Sequence, residues 1–419
     1  MQTTANGMKK RRMIDYKWEL VILLFFAFFL NQADRQIFNV LLSDIRDDLG
    51  LTNDNMGTIA MVMNIVYGVL VPVGGLLAVH IKKKYILVGA LFLWSTSTVF
   101  TGCANSFIAV LLLRSVATGG GEAFYSPSAV SLIAESHDKT TSSTALSIHQ
   151  SALYIGFILS SVLAPLMAAA WGWRKAFYLF GGIGIVLAVI LALRIREAKP
   201  ATTRKDDEAS IGQSLKAFFA CPTAWLLTLA CAGFQFVGIA FYTWAPTYLI
   251  EELGVSKAAA GFHAAFYVQM ASIIGVMIGA RISDRHVSHN YRMRAWVQTI
   301  GLVLGAPFVF LMGSSGDLWI VNVAMLGYGF FKGMYDSNFY TTLYDVIAPR
   351  YRSAAASFIL MFSFLVGAFS PKLLGSLSTA GYTLAYGLQW MAVVLALSAI
   401  PIILASFFTL KKDIAKIYQ

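Results

Sequence analysis

Ionisable side chains occur inside stretches of this sequence that are otherwise apolar, and they are the residues best suited to chemistry. Asn31, Asp34, Arg35 and Phe38 occur at offsets of 0, 3, 4 and 7, so they would share one face of a helix. A carboxyl group there could load and release a proton, and the planar Arg35 guanidinium could grip a carboxylate or phosphate with two hydrogen bonds. We predict proton coupling for Asp34 and substrate binding for Asn31 and Arg35. A static Asp–Arg brace between two helices is the alternative.

A second group of polar residues lies at residues 332–340, which read KGMYDSNFY. Lys332 and Asp336 are four residues apart, a spacing at which side chains on a helix meet. Lys332 could bind an anionic substrate and release Asp336 for proton coupling, with Tyr335 and Asn338 supplying hydrogen bonds to the substrate. The alternative is a neutral pair that only lowers the cost of placing charges in an apolar segment.

Other polar residues could face a central cavity, and His149 is the best of them, because an imidazole can donate to an anion or titrate near neutrality. The others are Gln150, Gln235, Tyr242, Asn64, Tyr67, His263, Tyr267 and Gln269. Contacts between packed helices would also explain each of these residues. Lys372 would extend its amine towards the membrane surface or guard an entrance.

The elements that must position these residues follow from composition. Of 419 residues, 58% are hydrophobic and only 13% are charged, and the mean hydropathy is +0.67. A soluble protein has roughly 25% charged residues, so a soluble enzyme and a disordered protein are excluded. Apolar runs of about 20 residues can cross a bilayer as helices. We predict an all-α polytopic membrane protein with twelve transmembrane helices, at about residues 18–42, 55–79, 85–103, 106–134, 142–169, 174–194, 223–250, 258–284, 293–313, 317–345, 351–375 and 381–410.

The basic residues predict the side of the membrane on which each loop lies. With the N-terminus inside, the cytoplasmic segments hold 24 of the 32 Lys and Arg residues, and the external loops hold four. Because positive residues concentrate in cytoplasmic loops, we expect both termini to be cytoplasmic, in a bacterial inner membrane. The net charge of +11 then reflects topology and contact with the lipid bilayer, and no nucleic-acid partner is expected.

The two halves of the chain repeat one another. Residues 49–52 (LGLT) precede Gly57, and residues 253–256 (LGVS) precede Gly261 at the same spacing. The longest polar break, Arg194 to Lys216, separates the two copies. The predicted units are an N-terminal six-helix bundle (1–195), a cytoplasmic linker (196–222) and a C-terminal six-helix bundle (223–419). A parallel repeat with a pseudo-twofold axis would place the binding site between the bundles, near the membrane midplane.

These features resemble the major facilitator superfamily over the whole chain. The family has a motif close to G-x-L-a-D-r-x-G-r-r after its second helix, and residues 75–84 match its start and its basic end, with a valine in place of the acid. The second-half copy keeps its Asp-Arg pair. In the family this motif latches the cytoplasmic side of the outward-facing state. The resemblance therefore implies the major facilitator fold and a gating role for Gly75, Lys83, Lys84, Asp284 and Arg285, with the second copy as the better latch.

Within the superfamily, the organic anion:cation symporters, which include hexuronate and sugar-acid permeases, are similar to this chain. Residues 31–35 (NQADR) and 119–123 (GGGEA) resemble motifs of that branch. The resemblance implies that Glu122 takes part in proton coupling with Asp34. A hydrogen bond that locks two helices together is the alternative role for Glu122.

Spinster-like lysolipid transporters share these two motifs, and residues 122–126 (EAFYS) are close to their G-E-A-x-Y-S. The match makes Tyr125 a further candidate for substrate binding. Arg114 precedes Glu122 by eight residues, where both branches usually have seven. Arg114 could neutralise a carboxylate, recruit anions as part of the substrate site, or form a structural pair.

The function predicted is secondary active transport by alternating access, as proton-coupled symport of a small organic anion such as a sugar acid, a hexuronate or another carboxylate. Four intramembrane cations against three acids favour an anionic substrate. We expect a monomer that is not an enzyme, with no metal site and no cofactor apart from the coupling ion, H+. The alternatives are a Spinster-like transporter or exporter of lysolipids or amphiphiles, and a non-transporting sensor with a transporter fold.

Overall fold

The computed structural model describes residues 15–138, 141–196 and 211–417. Every regular element in these ranges is helical and none is a strand, which confirms the predicted all-α class. Part of the predicted basic and linker sequence, namely Lys9 to Arg12, Lys139 and residues 197–210, lies outside the described residues.

The helices of the first half include one broken element, in which a π-helical segment joins short α-helices. In chain order they are α1 (Tyr16–Val40), α2 (Leu42–Asp48), α3 (Asn53–His80), α4 (Lys83–Thr101), α5 (Phe107–Val110), the π segment (Leu111–Thr118), α6 (Gly119–Ala123), α7 (Tyr125–Ser136), α8 (Ser142–Trp171) and α9 (Trp173–Arg194).

The second half follows the short linker helix α10 (Ile211–Phe219). Its elements are α11 (Pro222–Glu251), α12 (Lys257–His286), α13 (Met293–Ser314), α14 (Leu318–Val346), a 3-10 turn (Pro349–Tyr351), α15 (Arg352–Gly367), α16 (Phe369–Thr379), α17 (Leu384–Leu397), α18 (Ala399–Leu404), a second π-helical segment (Ala405–Thr409) and α19 (Leu410–Ile417).

Ten of the predicted transmembrane segments coincide with helices, among those described, that are long and apolar enough to cross a membrane. The other two predicted segments fold as α4 and α14. A count of twelve spans and the cytoplasmic position of the termini therefore stay predictions. The fourth, eleventh and twelfth segments are broken helices, because the π segment interrupts the fourth and breaks at Ala368 and Ser398 divide the other two.

The internal repeat has a local structural basis. Gly50 and Gly254 have φ angles of 61° and 68°, a left-handed conformation that glycine adopts without steric cost. Each glycine lies shortly before a long helix, α3 in the first half and α12 in the second. At the first of these helices, the Thr52 side chain accepts a hydrogen bond from the Asn55 amide and caps α3. The two halves thus enter corresponding helices through the same kind of turn.

Contacts between the halves run mainly through two sets of helices. Helix α3 packs on α15 and α16, and α8 packs on α12. Glycines make the close approach possible, because a Cβ atom at Gly57 would lie 2.4 Å from the carbonyl oxygen of Pro371, and one at Gly261 would lie 2.0 Å from that of Ser161. The predicted domain bounds stay a prediction, but these helix pairs define where the two halves meet.

The end of the predicted linker is packed helix and not a free polar loop. Phe218 of α10 is buried. Its ring lies 5.4 Å from that of Trp225 in α11 and 5.8 Å from that of Phe358 in α15. Helix α10 therefore fastens this part of the linker to the second half.

Candidate functional site

A cavity of about 360 Å³ lies between the two halves. Its walls come from α1, α3 and α8 of the first half and from α11, α12, α14 and α15 of the second. The predicted site residues that line it are Arg35, Gln235, Tyr242, Lys332 and Asp336. The fold thus brings a cation of α1 and a cation of α14, far apart in sequence, to one space.

Asp34 of α1 is buried and pairs with Arg114 of the π segment. Arg114 Nη1 lies 2.7 Å from Asp34 Oδ2, and Nη2 donates to the main-chain carbonyl of Asp34 at 2.6 Å. The Thr98 hydroxyl donates to the other carboxylate oxygen at 2.8 Å. The Arg114 side chain is 0% exposed, and these hydrogen bonds offset much of the cost of burying two charges. Of the roles considered for Arg114, the geometry favours pairing with Asp34.

Arg35, the next residue of α1, pairs instead with Glu122 of α6. Arg35 Nε lies 2.6 Å from Glu122 Oε2, and the guanidinium carbon lies 3.9 Å from the ring centroid of Tyr67, a cation–π contact. Arg35 is partly exposed to the cavity, whereas Glu122 is buried. Arg35 Nη2 and Glu122 Oε1 find no hydrogen-bond partner among the described residues. The arginine thus has one unused buried donor, and the glutamate has one unused buried oxygen.

Lys332 and Asp336 form the predicted pair on the opposite wall. The Lys332 ammonium lies 2.6 Å from the Asp336 carboxylate and 5.9 Å from the ring centroid of Phe234. Both members of the pair line the cavity. The Lys332–Asp336 pair is therefore open to a molecule in the cavity.

Two predicted substrate residues belong to a buried hydrogen-bonded cluster away from the cavity lining. His149 Nε2 lies 3.2 Å from the Tyr125 hydroxyl, which donates to the Leu24 carbonyl at 2.6 Å. The His149 ring stacks on Phe28, with 4.7 Å between centroids. The cluster joins α7 and α8 to α1, and direct contact of His149 or Tyr125 with substrate stays a prediction.

The remaining predicted substrate residues also lie outside the cavity lining. Asn31, Tyr335 and Asn338 are buried between helices, and Gln150 lies on an exposed face of α8. The Tyr335 ring packs 4.2 Å from that of Phe234, which does line the cavity. Tyr335 therefore supports the wall from behind.

Several lining residues were not among the predicted site residues. Gln32 and Asn39 stand three residues before and four residues after Arg35, so the helical period of α1 would have found them. Tyr154 and Phe157 of α8 have no such signal, because aromatic residues make up 14% of the chain. The lining residues that had been weighed only as weaker candidates are Asn64 and Gln269.

At the predicted cytoplasmic end, residues in and beside the gating motif pair within their own halves. Lys83 lies 2.6 Å from Glu135, and Arg294 lies 2.6 Å from Asp345 and 4.0 Å from Asp284. These contacts hold loops to one half and do not latch the halves together. The other predicted gating residues are Gly75 in α3, Lys84 in α4 and the exposed Arg285 in α12.

At the predicted outer end, by contrast, ion pairs join the halves. Lys372 of α16 pairs with Asp54 of α3, and the Ser376 hydroxyl donates to the same carboxylate. Arg46 Nη1 of α2 lies 2.8 Å from Glu251 of α11. The halves are therefore held together at this end.

A family model, relatives of known name and a solved structure all match this chain. The model described as Major Facilitator Superfamily matches residues 24–371. Protein spinster homolog 1 of Xenopus laevis is 30% identical over 391 residues, which cover 87% of this chain and 74% of that protein. The hexuronate transporter of Bacillus subtilis is 26% identical over 275 residues, 64% of each chain. A solved bacterial homologue of the human lysosomal transporter Spinster, in an inward-facing and occupied conformation, superposes with a TM-score of 0.79 at 21% identity, covering 95% of this chain and 98% of that one.

Proposed function

The chain belongs to the Major Facilitator Superfamily, and on this premise we propose that it imports a small organic anion together with protons by alternating access. Its relatives are transporters and not enzymes, so this chain is a multi-pass membrane transporter of a small molecule. The substrate class that we propose is sugar acids and hexuronates first, and other carboxylates next. We place the protein in a bacterial inner membrane as a monomer, with H+ as the coupling ion.

The position of Arg35 carries this proposal. Its guanidinium lines the cavity, keeps one buried donor unused and is held in place by the Tyr67 ring. A carboxylate could take two hydrogen bonds from such a fork. The cavity volume of about 360 Å³ is near the lower end of the range for small-molecule pockets, about 300–1,000 Å³, which suits a single sugar ring.

Coupling follows from competition for Arg35. The guanidinium donates to Glu122, and an arriving carboxylate would take that place. Glu122 is buried, so leaving its charge without a partner would cost several kcal/mol. Protonation of Glu122 removes that cost and keeps the site neutral. Each anion would therefore enter with a proton, and Asp34, held by Arg114 beside this site, is the second group that we assign to coupling.

The opposite wall of the cavity, which carries Lys332 and Asp336, contributes to anion binding in the same way. Lys332 can bind a second oxygen of the substrate and release Asp336, whose carboxylate is about one-third exposed. Amides from both halves, among them Gln32, Asn64 and Gln269, line the space between the two cations. They offer donors and acceptors for hydroxyl groups, which favours a sugar acid over a simple carboxylate.

The test uses purified protein in liposomes that contain a pH-sensitive dye. Sugar acids, simple carboxylates, neutral sugars and lysolipids are added one at a time, with and without sodium. We expect proton entry with one class of small anion and no requirement for sodium. Proton entry that is absent with every small anion would contradict the proposal.

Spinster-like transport of a lysolipid or amphiphile is the second candidate. The identity to protein spinster homolog 1 favours it, as do the aromatic residues of the cavity wall, Tyr154, Phe157, Phe234, Tyr242 and Phe364. The same liposomes decide between the two candidates. Movement of lysolipid across the bilayer, without proton entry from any small anion, would establish this second function.

A further inference from the structure

Two residues of the fourth predicted segment pair with α1, and the π segment Leu111–Thr118 lies at this point of the chain. Arg114 lies within it, and Glu122 lies one turn beyond its end, in α6. Their partners, Asp34 and Arg35, are adjacent on α1. Because both pairs are formed, the side chains of Arg114 and Glu122 must both point from their own helix towards α1.

A regular α-helix would turn these two side chains away from one another. It turns by about 100° per residue, so eight residues turn it by roughly 800°, about 80° beyond two full turns. A π-helix has about 4.4 residues per turn, or roughly 82° per residue. Four of the eight steps from Arg114 to Glu122 lie in the π segment, so the rotation falls to roughly 730°, within about 10° of two full turns.

Separate contacts fix the helix within this wide turn and just after it. Below it, a Cβ atom at Gly119 or Gly121 would lie 3.1 Å from the backbone of Met63 or Trp94, so α6 is packed tightly between α3 and α4. Within it, the Ser115 hydroxyl donates to the Ile59 carbonyl of α3 at 2.7 Å. The surplus residue therefore has to be absorbed between these two anchors.

Side-chain hydroxyls stabilise the wide turn itself. A π turn leaves backbone carbonyls poorly placed for the usual helical bond. The carbonyl of Leu113 accepts instead from Ser97 Oγ at 2.5 Å and from Thr118 Oγ1 at 3.0 Å. These two hydroxyls supply donors at the point where the extra residue is accommodated.

We propose that the π segment is the positioning element of the charge network: its one-residue surplus turns Arg114 and Glu122 onto one face, where they engage Asp34 and Arg35 together. The expected effect on proton entry rests on the proposed function, but the expected effect on the ion pairs does not. Ser97 and Thr118 are positioning residues, since they touch neither substrate nor the paired charges of Arg35 and Glu122.

The first test is deletion of Val116, a residue that is 46% exposed at the lipid-facing surface. Deletion reduces the spacing to seven residues, which turn a regular α-helix by roughly 700°, about 20° short of two turns. We expect the variant to keep both ion pairs and anion-driven proton entry within about twofold of the unmodified protein. The matched control is deletion of Ile108, equally lipid-facing at 57% exposed but outside the Arg114–Glu122 interval.

The second test removes the hydroxyls without changing any spacing. Ser97→Ala with Thr118→Val should lower anion-driven proton entry about tenfold, from two lost hydrogen bonds. Adding deletion of Val116 to this double variant should restore proton entry, and adding deletion of Ile108 should not. Rescue by one deletion and not by the other is a result that general destabilisation cannot produce.

A readout that needs no transport separates this inference from the proposed function. Melting temperatures of the Asp34→Asn, Arg114→Met and double variants give the coupling between these two residues in each background. We expect strong coupling in the unmodified and Val116-deleted proteins and weak coupling in Ser97→Ala/Thr118→Val. Undiminished coupling in Ser97→Ala/Thr118→Val would overturn the proposal. Loss of the coupling in the Val116-deleted protein, or aggregation of that protein, would also overturn it. Failure of every anion to drive protons, with coupling as expected, would overturn only the function.

Discussion

Replacing Glu122 by glutamine should separate anion binding from proton coupling. In the unmodified protein, Arg35 Nε donates to the buried Glu122 carboxylate at 2.6 Å, and an incoming anion must take over that donor. A hydrogen bond between charged groups contributes about 1.5–3 kcal/mol. A glutamine amide competes less well for the guanidinium, so apparent affinity for the anion should rise about tenfold to a hundredfold at pH 8.

The same substitution should abolish accumulation against a gradient. Because glutamine does not titrate, the arrival of an anion in this variant no longer recruits a proton to position 122. Binding measured by titration calorimetry should become nearly independent of pH between pH 6 and pH 8. Counterflow exchange of labelled substrate in liposomes should persist, because it needs no net proton movement, while uphill uptake driven by a proton gradient should vanish.

The matched control is Glu19→Gln, which alters another Glu–Arg pair of the first half. Glu19 of α1 pairs with Arg194 at 2.5 Å, but both side chains are partly exposed, and exposed pairs contribute at most about 1 kcal/mol. This variant should bind and accumulate substrate like the unmodified protein. Unimpaired uphill uptake by Glu122→Gln, or a pH dependence of binding equal to that of the unmodified protein, would refute the competition for Arg35.

Three further predictions follow from the same contacts. Arg35→Lys should raise the apparent KM for the anion about tenfold, because an ammonium cannot present two parallel donors; an unaltered KM in uptake assays would remove Arg35 from the substrate site. Arg114→Met should destabilise the fold by about 3–5 kcal/mol, because Asp34 is left buried and unpaired. Adding Asp34→Asn should recover part of the lost melting temperature. Equal melting temperatures of the single and double variants would show that the pair is not coupled. Gly57→Val should hinder closure of the outer end and lower uptake, because a Cβ there would lie 2.4 Å from a backbone oxygen of α16. The control Gly89→Ala, whose Cβ would meet no atom within 4 Å, should leave uptake unchanged. A Gly57→Val variant with full uptake would show that this contact is not needed for closure.

The charge network shows where sequence reasoning was sufficient and where it stopped. The offsets of Asp34 and Arg35 place both on or near one face of α1, and their cost in lipid marks them as special without any structure. Which partner each takes could not be read from the chain, since Arg114 pairs with Asp34 while Glu122 pairs with Arg35. That choice depends on the rotation of one helix against another.

The cavity shows the same division. Arg35, Lys332 and Asp336, which their charges in apolar segments had marked as candidates, line it. His149, the best of the other polar candidates, is instead packed against Phe28 and Tyr125 in the interior of the first half. A polar residue in an apolar helix can face the cavity or a neighbouring helix at similar cost, so residue type alone did not separate the two positions.

Residue types along the chain determined that this protein is helical and spans a membrane, because the length of an apolar run and the cost of a charge within it are local properties. Tertiary structure alone decided which charges pair and which line the cavity. The physical reason is angular: one surplus residue turns a helical face by about 100°. Only the wide turn at Leu111–Thr118, held by hydroxyls of Ser97 and Thr118, brings Arg114 and Glu122 back into line.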